Sequence, residues 1–362
     1  MKKINNIFPE IISKENLYRS AYMASRGRRY RDSTANFNFS LEEEIGRLHK
    51  ELLCKTYRHG RYRLFTIYDP KERNIAAAPF KDRVVHHAVH DVIEPIIDRT
   101  FIYDSYACRK DKGTHQAVDR AQRFLRANKF CFHGDIKQYF PSINHRIIKL
   151  ILRKRIEDKD TLWLLDEIID SAKLLPACLR SSAGAAVNGK GIGLPIGNLT
   201  SQFFANLYLN ELDYFIKFDL RIRYYLRYMD DFLIFSNEKT GLVEIKERIR
   251  KFLNDSLELR LHKDKSQIYP TPDGIKFLGF RLFSGHRRLT SDNLRRFKKR
   301  LKRFGCLFAD GKVAKNVVRD SVRCWVAHSK YANAAILRKR IFNGLVKTKG
   351  SLVYLVGDLL VN

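Results

Sequence analysis

The stretch YMDDFLIF, residues 228–235, places two adjacent aspartates inside an otherwise apolar, β-prone run. The mainly apolar segments on either side, 227–229 and 232–235, predict two short strands, with Asp230 and Asp231 at the tight turn of a hairpin. Adjacent carboxylates repel each other, and burying either one without a partner costs free energy, so a polyvalent cation would compensate them. Taken alone, the stretch also fits a solvated Asp-Asp turn.

A third carboxylate, Asp135, lies in the segment FCFHGDIKQYFPSINH, residues 130–145. The apolar run 130–132 predicts a strand that leads into this aspartate, and Gly134 allows another backbone segment to approach closely. Three carboxylates at strand ends can hold two Mg²⁺ ions, one that activates a primer 3′-hydroxyl and one that holds a triphosphate. We therefore predict that Asp135, Asp230 and Asp231 are catalytic residues for two-metal nucleotidyl transfer.

The charge of the chain indicates a polyphosphate partner. Its 362 residues contain 69 lysines and arginines against 39 acidic residues, a net charge of +30, and the sequence pI is near 10.0. Such a surplus is typical of nucleic-acid-binding proteins, and 44% hydrophobic content supports folded cores. The six cysteines show no C-x-x-C spacing, the N-terminus is too polar for a signal peptide, and no run approaches the roughly 18 apolar residues of a membrane span. We expect a cytoplasmic protein with no membrane partner.

The order of these segments, with GLPIGNLTSQ at 193–202 between D-I-K-x-Y-F and YMDD, resembles the palm of a reverse transcriptase. The resemblance is most specific to the reverse transcriptases of diversity-generating retroelements, relatives of the group II intron and retron polymerases, and extends from about Tyr18 to Phe283. Most reverse transcriptases carry glutamine before the second glycine of this motif and Ser-Pro after it. This chain has Ile196 at the first position and Thr-Ser-Gln at 200–202, a departure that is the signature of the diversity-generating group.

The resemblance implies an α+β fold, the right-hand polymerase with fingers, a palm built on an antiparallel sheet, and a helical thumb. We place the N-terminal extension and fingers at 1–128, the palm at 129–284 with a finger-side insertion at about 157–192, and a basic thumb at 285–362. Three amphipathic helices near 291–304, 311–328 and 332–347 fit that thumb. It would follow the template–primer backbone by charge and shape.

The resemblance also implies metal and nucleotide contacts. The backbone of Ile136 joins the three aspartates as a ligand of two Mg²⁺ ions, for which Mn²⁺ would substitute. The residue aligned with Arg73 grips the incoming triphosphate bidentately. Phe140 is the proposed steric gate against a 2′-hydroxyl, with Tyr139 as the alternative, and Lys265 lies near the leaving pyrophosphate, with Lys263 as a close rival. The predicted nucleotide-binding set is Lys71, Arg73, Phe140, Ile196, Gly197 and Lys265.

Template and primer contacts are predicted at positions spread along the chain. The predicted set is Arg83, Arg109, Lys112, Gln202, Tyr228 and Gly279. Arg109 and Lys112 precede a helix start, and KFLGFRLF at 276–283 resembles the primer grip and is predicted to be one strand with a break at Gly279. Arg83 has the alternative role of bracing the helix that follows it. The segment 17–31 interleaves arginine with tyrosine, as RNA contact requires, and a solvated basic helix is the alternative.

Two local patterns carry further predictions. Ser40 and Glu43 form a capping box that begins a helix with an apolar stripe at Leu41, Ile45 and Leu48. Three histidines at 86, 87 and 90 lie on the predicted helix 80–99, where the absence of an acidic or cysteine partner favours core residues over a metal site.

The activity implied by the resemblance is Mg²⁺-dependent DNA synthesis on an RNA template in a bacterium, archaeon or phage. The resemblance further implies error-prone copying at template adenines and retrohoming of the cDNA. The expected partners are template RNA, a cDNA or primer strand, dNTPs and a small basic accessory protein. A retron-like or defence-associated reverse transcriptase and a non-catalytic, maturase-like RNA-binding protein are the alternatives.

Overall fold

The computed structural model describes residues 3–68, 72–175 and 191–348. Its mixture of helices with antiparallel sheets confirms the predicted α+β class and fits the right-hand polymerase architecture. Two predictions concern residues outside the described ranges: the nucleotide contact of Lys71 and part of the finger-side insertion at about 157–192.

The described chain combines runs of successive helices with strands that mostly follow one another in pairs or small groups. The helices are α1 (Phe8–Ile12), α2 (Lys14–Ser25), α3 (Asp32–Phe39), α4 (Leu41–Leu53), α5 (Phe80–Asp98), α6 (Thr114–Arg126), α7 (Tyr139–Ser142), α8 (His145–Arg155), α9 (Lys159–Asp170), α10 (Leu199–Tyr214), α11 (Lys239–Leu257), α12 (Ser291–Ala309), α13 (Lys315–Lys330) and α14 (Ala335–Thr348). The strands are β1 (Arg63–Ile67), β2 (Arg73–Ala77), β3 (Phe130–Asp135), β4 (Tyr225–Tyr228), β5 (Asp231–Ser236), β6 (Gln267–Pro270), β7 (Ile275–Phe277), β8 (Phe280–Leu282) and β9 (Arg287–Leu289).

The chain divides into two compact units. The first contains the described residues of Met1–Gly113, His133–Phe232 and Val243–Gln267, and the second those of Thr114–Phe132, Leu233–Leu242 and Ile268–Asn362. The division passes through β3 and β5. The fingers, palm and thumb boundaries expected at 128 and 284 stay predictions.

The sheet that carries the aspartates has the strand order β4-β5-β3-β6. The turn between β4 and β5 differs from its prediction by one residue. Met229 adopts a left-handed φ of 57° and forms the turn with Asp230, whereas Asp231 is already the first residue of β5. A side chain in the left-handed region is uncommon and marks a turn held by its surroundings.

Two helices form the centre of the first unit. The buried residues of α10 run without a break from Phe203 to Asn210, which is more than two turns, so the helix is enclosed rather than amphipathic. On α5 an apolar set is buried: Val84, Val85, Ala88, Val89, Val92, Ile93 and Ile97. His86 of the same helix is also buried and stacks on His59, with ring centroids 5.3 Å apart.

The second unit contains a three-stranded sheet, β7-β8-β9, and a helical bundle formed by α12, α13 and α14. The bundle core is apolar: Phe297, Leu301, Val318, Val322, Trp325 and Phe342. Phe297 and Trp325 stack in parallel with ring centroids 3.7 Å apart. The three helices overlap the predicted ranges. Two of them, α12 and α13, each bury one apolar stripe and expose a charged face.

Two local predictions were wrong. The side chain of Ser40 does not cap α4, and its hydroxyl instead donates to the carbonyl of Asn36 in the preceding turn. The segment predicted as one broken strand is a hairpin of β7 and β8, because Leu278 and Gly279 both have positive φ angles, 47° and 87°, as a two-residue turn of this kind requires.

Within the described residues, no helix combines the length and the apolar character needed to cross a membrane.

Candidate active site

The three predicted catalytic aspartates lie on neighbouring elements of one sheet. Asp135 is the last residue of β3, Asp231 is the first residue of the adjacent strand β5, and Asp230 lies in the turn before it. The amide of Ile136 donates to the carbonyl of Asp230, 3.3 Å away, so the two backbone segments are joined at the site. Gly134 makes the approach possible, since a Cβ there would lie 2.2 Å from Phe232 Cζ.

Asp230 is the electrostatically strained member of the group. Burial, together with the charges of Asp135 and Asp231, raises the pKa of its carboxyl from the ordinary 3.8 to about 6, against the opposing effects of its own backbone amide and of Lys265. Asp230 makes no ion pair within the described residues. Its ionised form therefore costs free energy that a cation at the site would offset.

Asp135 and Asp231 each contact a basic side chain. Lys265 Nζ lies 2.9 Å from Asp135 Oδ1, and His133 Nε2 lies 2.6 Å from Asp231 Oδ1. Burial lowers the pKa of His133, but the hydrogen bond and charge of Asp231 and the charge of Asp135 outweigh it and raise the pKa overall. Both carboxylates therefore have their charge partly compensated by the chain itself.

The backbone of Asp135 is fixed independently of its side chain. Its amide donates to Ser266 Oγ and its carbonyl accepts from the same hydroxyl, both at 3.1 Å, and the amide of His262 donates to that carbonyl at 2.8 Å. The carboxylate can thus exchange Lys265 for another cation without moving the strand.

The donor set fits Mg²⁺, because hard cations prefer carboxylate oxygens. Among the described residues, no group of three or more histidine, cysteine, aspartate or glutamate side chains is already arranged as a metal site. Binding would require Asp135 and Asp231 to turn away from Lys265 and His133. The two-ion site and the ligand role of the Ile136 backbone stay predictions.

A buried ion pair fixes the catalytic turn, and the sequence did not indicate it. Arg227 and Asp213 are both fully buried, with Arg227 Nη2 2.6 Å from Asp213 Oδ2. The Tyr225 hydroxyl donates to Asp213 Oδ1 at 2.6 Å, and Arg227 Nη1 donates to the carbonyl of Met229 at 3.1 Å. This last bond holds the left-handed residue directly before Asp230.

His133 was also missed at the sequence level. It stands two residues before Asp135 on β3, so the pleat places both side chains on one face of the sheet. A polar residue in that register, within an apolar strand, is the signal that could have identified it.

The β1–β2 hairpin and the loop before α10, which both carry predicted nucleotide-binding residues, are hydrogen-bonded to each other. Arg73 begins β2 and is exposed. The amide of Ala76 on the same strand donates to the carbonyl of Ile196 at 3.0 Å, and Asn198 Nδ2 donates to the carbonyl of Ala76. Gly197, at φ 114°, is required because a Cβ there would lie 2.8 Å from Ile75 Cγ2. The hairpin that carries Arg73 is therefore docked on the loop that carries Ile196.

The two candidates for the sugar gate differ in exposure. Residues 139–142 form the short helix α7 rather than a continued strand, so adjacent side chains do not alternate between faces. Tyr139 is buried and its hydroxyl donates to the carbonyl of Ala205, whereas Phe140 is partly exposed. This arrangement favours Phe140 as the gate, a role that stays a prediction. Lys265 contacts Asp135 directly, which favours it over Lys263.

Two of the predicted template contacts, Arg109 and Lys112, bond to other residues of the first unit. The guanidinium of Arg109 bonds to Asp98 and to the carbonyls of Ile102 and Ser105, and only 8% of its side chain is exposed, so it braces the loop after α5 rather than facing a nucleic acid. Lys112 Nζ lies 3.5 Å from the centre of the Tyr103 ring and donates to the carbonyl of Tyr103.

The remaining predicted template and primer contacts are more open. Arg83 lies over the Phe80 ring at 5.0 Å, and burial lowers the pKa of its guanidinium, as do the charges of Arg28 and Arg31. Gln202 is exposed in the first turn of α10. Two further positions are Tyr228, the last residue of β4, and Gly279, which lies in the turn of the β7–β8 hairpin in the second unit. Their contacts with nucleic acid stay predictions.

Comparison with known proteins identifies relatives of the chain. Residues 68–282 match the family model described as reverse transcriptase (RNA-dependent DNA polymerase). The chain is similar to Protein YkfC of Escherichia coli (strain K12), 28% identical over 67% of this chain and 72% of YkfC. It is also similar to the Group II intron-encoded protein LtrA of Lactococcus lactis subsp. cremoris, 22% identical over 91% of this chain. The match spans 61% of LtrA, less than two thirds of its length.

Proposed function

Because the chain belongs to the reverse transcriptase (RNA-dependent DNA polymerase) family, an enzyme class, we propose that it extends a DNA primer on an RNA template. The observation that carries this proposal is the meeting of Asp135, Asp230 and Asp231 at two neighbouring strand ends and the turn between strands. When bound, two Mg²⁺ ions supply Lewis-acid activation of the primer hydroxyl and compensate the charge on the leaving pyrophosphate.

The side chains around the aspartates divide the remaining work. Lys265 is half-exposed beside Asp135, so a bound triphosphate competes with that carboxylate for its ammonium group. Arg73 presents a planar guanidinium from the docked hairpin, a geometry that suits bidentate contact with phosphate. Phe140 excludes a 2′-hydroxyl by its bulk. The Arg227 bond to the Met229 carbonyl keeps the turn in place while the charge beside it changes.

Primer extension on an RNA template tests this activity. Asp230→Asn removes a carboxylate while keeping its size, and we expect no detectable extension with Mg²⁺ together with unchanged RNA binding. Asp264→Asn is the matched control, because that side chain is 92% exposed and its nearest charged neighbour is His262, with Nδ1 4.0 Å from Asp264 Oδ2. Robust extension by Asp230→Asn would overturn the assignment.

We propose further that the template is the transcript of a template repeat in a diversity-generating retroelement. The support is Ile196 and the Thr200-Ser201-Gln202 run, which replace the glutamine and Ser-Pro of most reverse transcriptases. The cDNA would then carry errors opposite template adenines and return to a variable repeat by retrohoming, with a small basic accessory protein as partner. A repeat pair in the neighbouring DNA that differs only at adenines would support this role, and its absence would contradict it.

A maturase-like role is the second candidate, and the similarity to the Group II intron-encoded protein LtrA favours it. A protein of this kind binds structured RNA and has no need of the aspartates. Tight binding to a folded intron RNA without primer extension would select it. Extension that yields one fixed cDNA with no adenine bias would instead select a retron-like or defence-associated enzyme.

A further inference from the structure

A small pocket in the first unit lies beside the first turn of α10. Its volume is about 230 Å³. Three apolar side chains line it, Phe101, Leu199 and Phe203, together with five polar ones: His90, Glu94, Cys108, Gln202 and Asn206. Ligand pockets usually measure about 300–1,000 Å³, so a space of this size holds one planar ring system and not a whole nucleotide.

Two of the polar groups have unused hydrogen-bonding capacity. The carboxyl of Glu94 makes no hydrogen bond or ion pair within the described residues. Burial raises its pKa, as do the charges of Asp98 and Asp91, against the opposing charges of His90 and Arg109. The Gln202 amide has only a long contact in the described chain, 3.6 Å from Cys108 Sγ to Oε1. Asn206 differs, since its amide donates to Ala107 and accepts from Arg227. Between its apolar walls the pocket thus presents the Glu94 carboxyl and the Gln202 amide nitrogen, neither of which has a hydrogen-bond partner in the described chain.

The chemistry of these groups selects among planar ligands. A glutamine amide pairs with the N6 amine and N7 of adenine through two bonds, and a carboxylate accepts from an exocyclic amine. Aromatic and apolar walls favour the flat face of a base. Uracil has no exocyclic amine to offer either group.

We propose that this pocket binds one unpaired nucleobase with an exocyclic amine, adenine above all, from the single-stranded part of the template. The inference rests on the proposed function, because it names a subsite for the RNA that the polymerase copies. Leu199 and Gln202 follow directly after the loop of Ile196 and Gly197, so the pocket adjoins the predicted nucleotide site in the chain. Gln202 alone was a predicted template contact; Glu94 and Cys108 are new.

The thiol of Cys108 provides a probe inside the pocket. We expect a short oligoadenylate to slow alkylation of Cys108 in the full chain, and to do so at a concentration at least about fivefold lower than oligouridylate, the lower limit of discrimination by one good bidentate base contact. Oligouridylate should slow it much less. Cys54 is exposed on another part of the first unit and serves as the internal control, with an alkylation rate that neither oligonucleotide changes.

Substitution separates base recognition from general shielding. Glu94→Ala should bring the protection by oligoadenylate down toward that by oligouridylate, and it should fold because the carboxyl has no partner in the described chain. Glu244→Ala, an exposed change on α11, should leave the adenine preference intact. Equal protection of Cys108 by both oligonucleotides in the unchanged protein would overturn the base pocket.

Primer extension with the same preparation distinguishes this failure from that of the proposed function. Extension on an RNA template without adenine-dependent protection of Cys108 would leave the polymerase assignment standing and reject the pocket. Neither extension nor oligonucleotide binding would reject both.

Discussion

The catalytic turn of the first unit and the helical bundle of the second are stabilised in opposite ways. The turn depends on Arg227 and Asp213, an ion pair with neither side chain exposed, and it carries Asp230, a partly buried carboxyl without an ion pair in the described chain. The bundle has a wholly apolar core, and its ion pairs, such as Arg295 with Asp292, have both side chains more than half exposed. The region that carries the predicted catalytic residues therefore buries charged side chains, whereas the bundle keeps its ion pairs at the surface.

The difference has energetic consequences for single substitutions. A buried ion pair contributes little net stability compared with an apolar replacement of both partners, but the loss of one partner leaves an unpaired buried charge. An exposed charge loses little when it is removed. The turn should therefore be sensitive to a change of one charge, and the surface of the bundle should tolerate it.

The largest expected effect is that of Arg227→Met. Removing the guanidinium leaves Asp213 buried without its partner, which typically costs about 3–5 kcal/mol of unfolding free energy. Urea denaturation of the metal-free chain measures it. The matched control is Arg250→Met, an exposed member of a pair on α11, with an expected loss under about 1 kcal/mol.

A double change sharpens the test. Arg227→Met combined with Asp213→Leu should be more stable than Arg227→Met alone, because no unpaired charge remains. A double variant that is less stable than both single variants would show that the network acts through packing and hydrogen bonds rather than through compensation of charge.

This contrast also explains what the sequence could and could not predict. The bundle helices follow from an amphipathic period, which is local information. The aspartates were identifiable because charge interrupts an apolar run. The partner of Arg227 lies on another element, and the partner of His133 is 98 residues away along the chain, so no local pattern pairs them. The left-handed Met229, which moves the turn by one residue, depends on the same long-range network.

The next effect is a dependence of stability on pH that comes from Asp230. Its folded pKa of about 6 exceeds its ordinary 3.8, so the folded chain holds the Asp230 proton more tightly than the unfolded chain does. The stability that this proton gives the metal-free protein is present in full below pH 3.8 and is lost as the pH rises through 6. A difference of about two units corresponds to about 3 kcal/mol. Asp230→Asn should therefore stabilise the metal-free chain at neutral pH, with little effect in acid.

Thermal and urea unfolding in a chelating buffer at acid and neutral pH measure this contribution as the difference between variant and parent. Taking the difference cancels the pH dependence of groups that titrate alike in both proteins, such as His86. His133 does not cancel fully, because it interacts with the site through Asp231. Asp264→Asn is the control and should show no such pH-dependent gain. An Asp230→Asn chain that is less stable than the parent at neutral pH would contradict the raised pKa.

A smaller effect is expected from the surface of the bundle. Lys298 and Lys302 are exposed one turn apart on α12. Changing both to glutamine should alter unfolding free energy by less than about 0.5 kcal/mol. If they contact phosphates, the slope of log affinity for RNA against log salt should fall by about 0.7–0.9 for each lysine. An unchanged slope would remove this face of α12 from the template path.

The last effect is on fidelity alone and concerns Ile196, whose backbone is bonded to the hairpin strand while its side chain is only partly buried. If that side chain borders the nascent base pair, it forms an apolar wall that cannot hydrogen-bond to a dNTP. A glutamine there would bond to a correct dNTP but not to a mispaired one, so the apolar wall lowers selectivity. Such a bond contributes about 0.5–1.5 kcal/mol, which corresponds to several-fold to about tenfold in selectivity. Ile196→Gln should therefore lower misincorporation opposite template adenine more than opposite other bases, with total synthesis largely kept.

Sequencing of cDNA made by parent and variant on one RNA template measures this change, with Val243→Gln on the exposed face of α11 as a control for adding an amide elsewhere. The alternative is that Ile196 only supports the docked hairpin. Glutamine would then disturb the strand of Arg73 through Ala76 and weaken triphosphate binding, so synthesis would fall at every template base alike. Equal adenine error rates in parent and variant would reject the fidelity role, because the bond that glutamine adds would then lie away from the base pair.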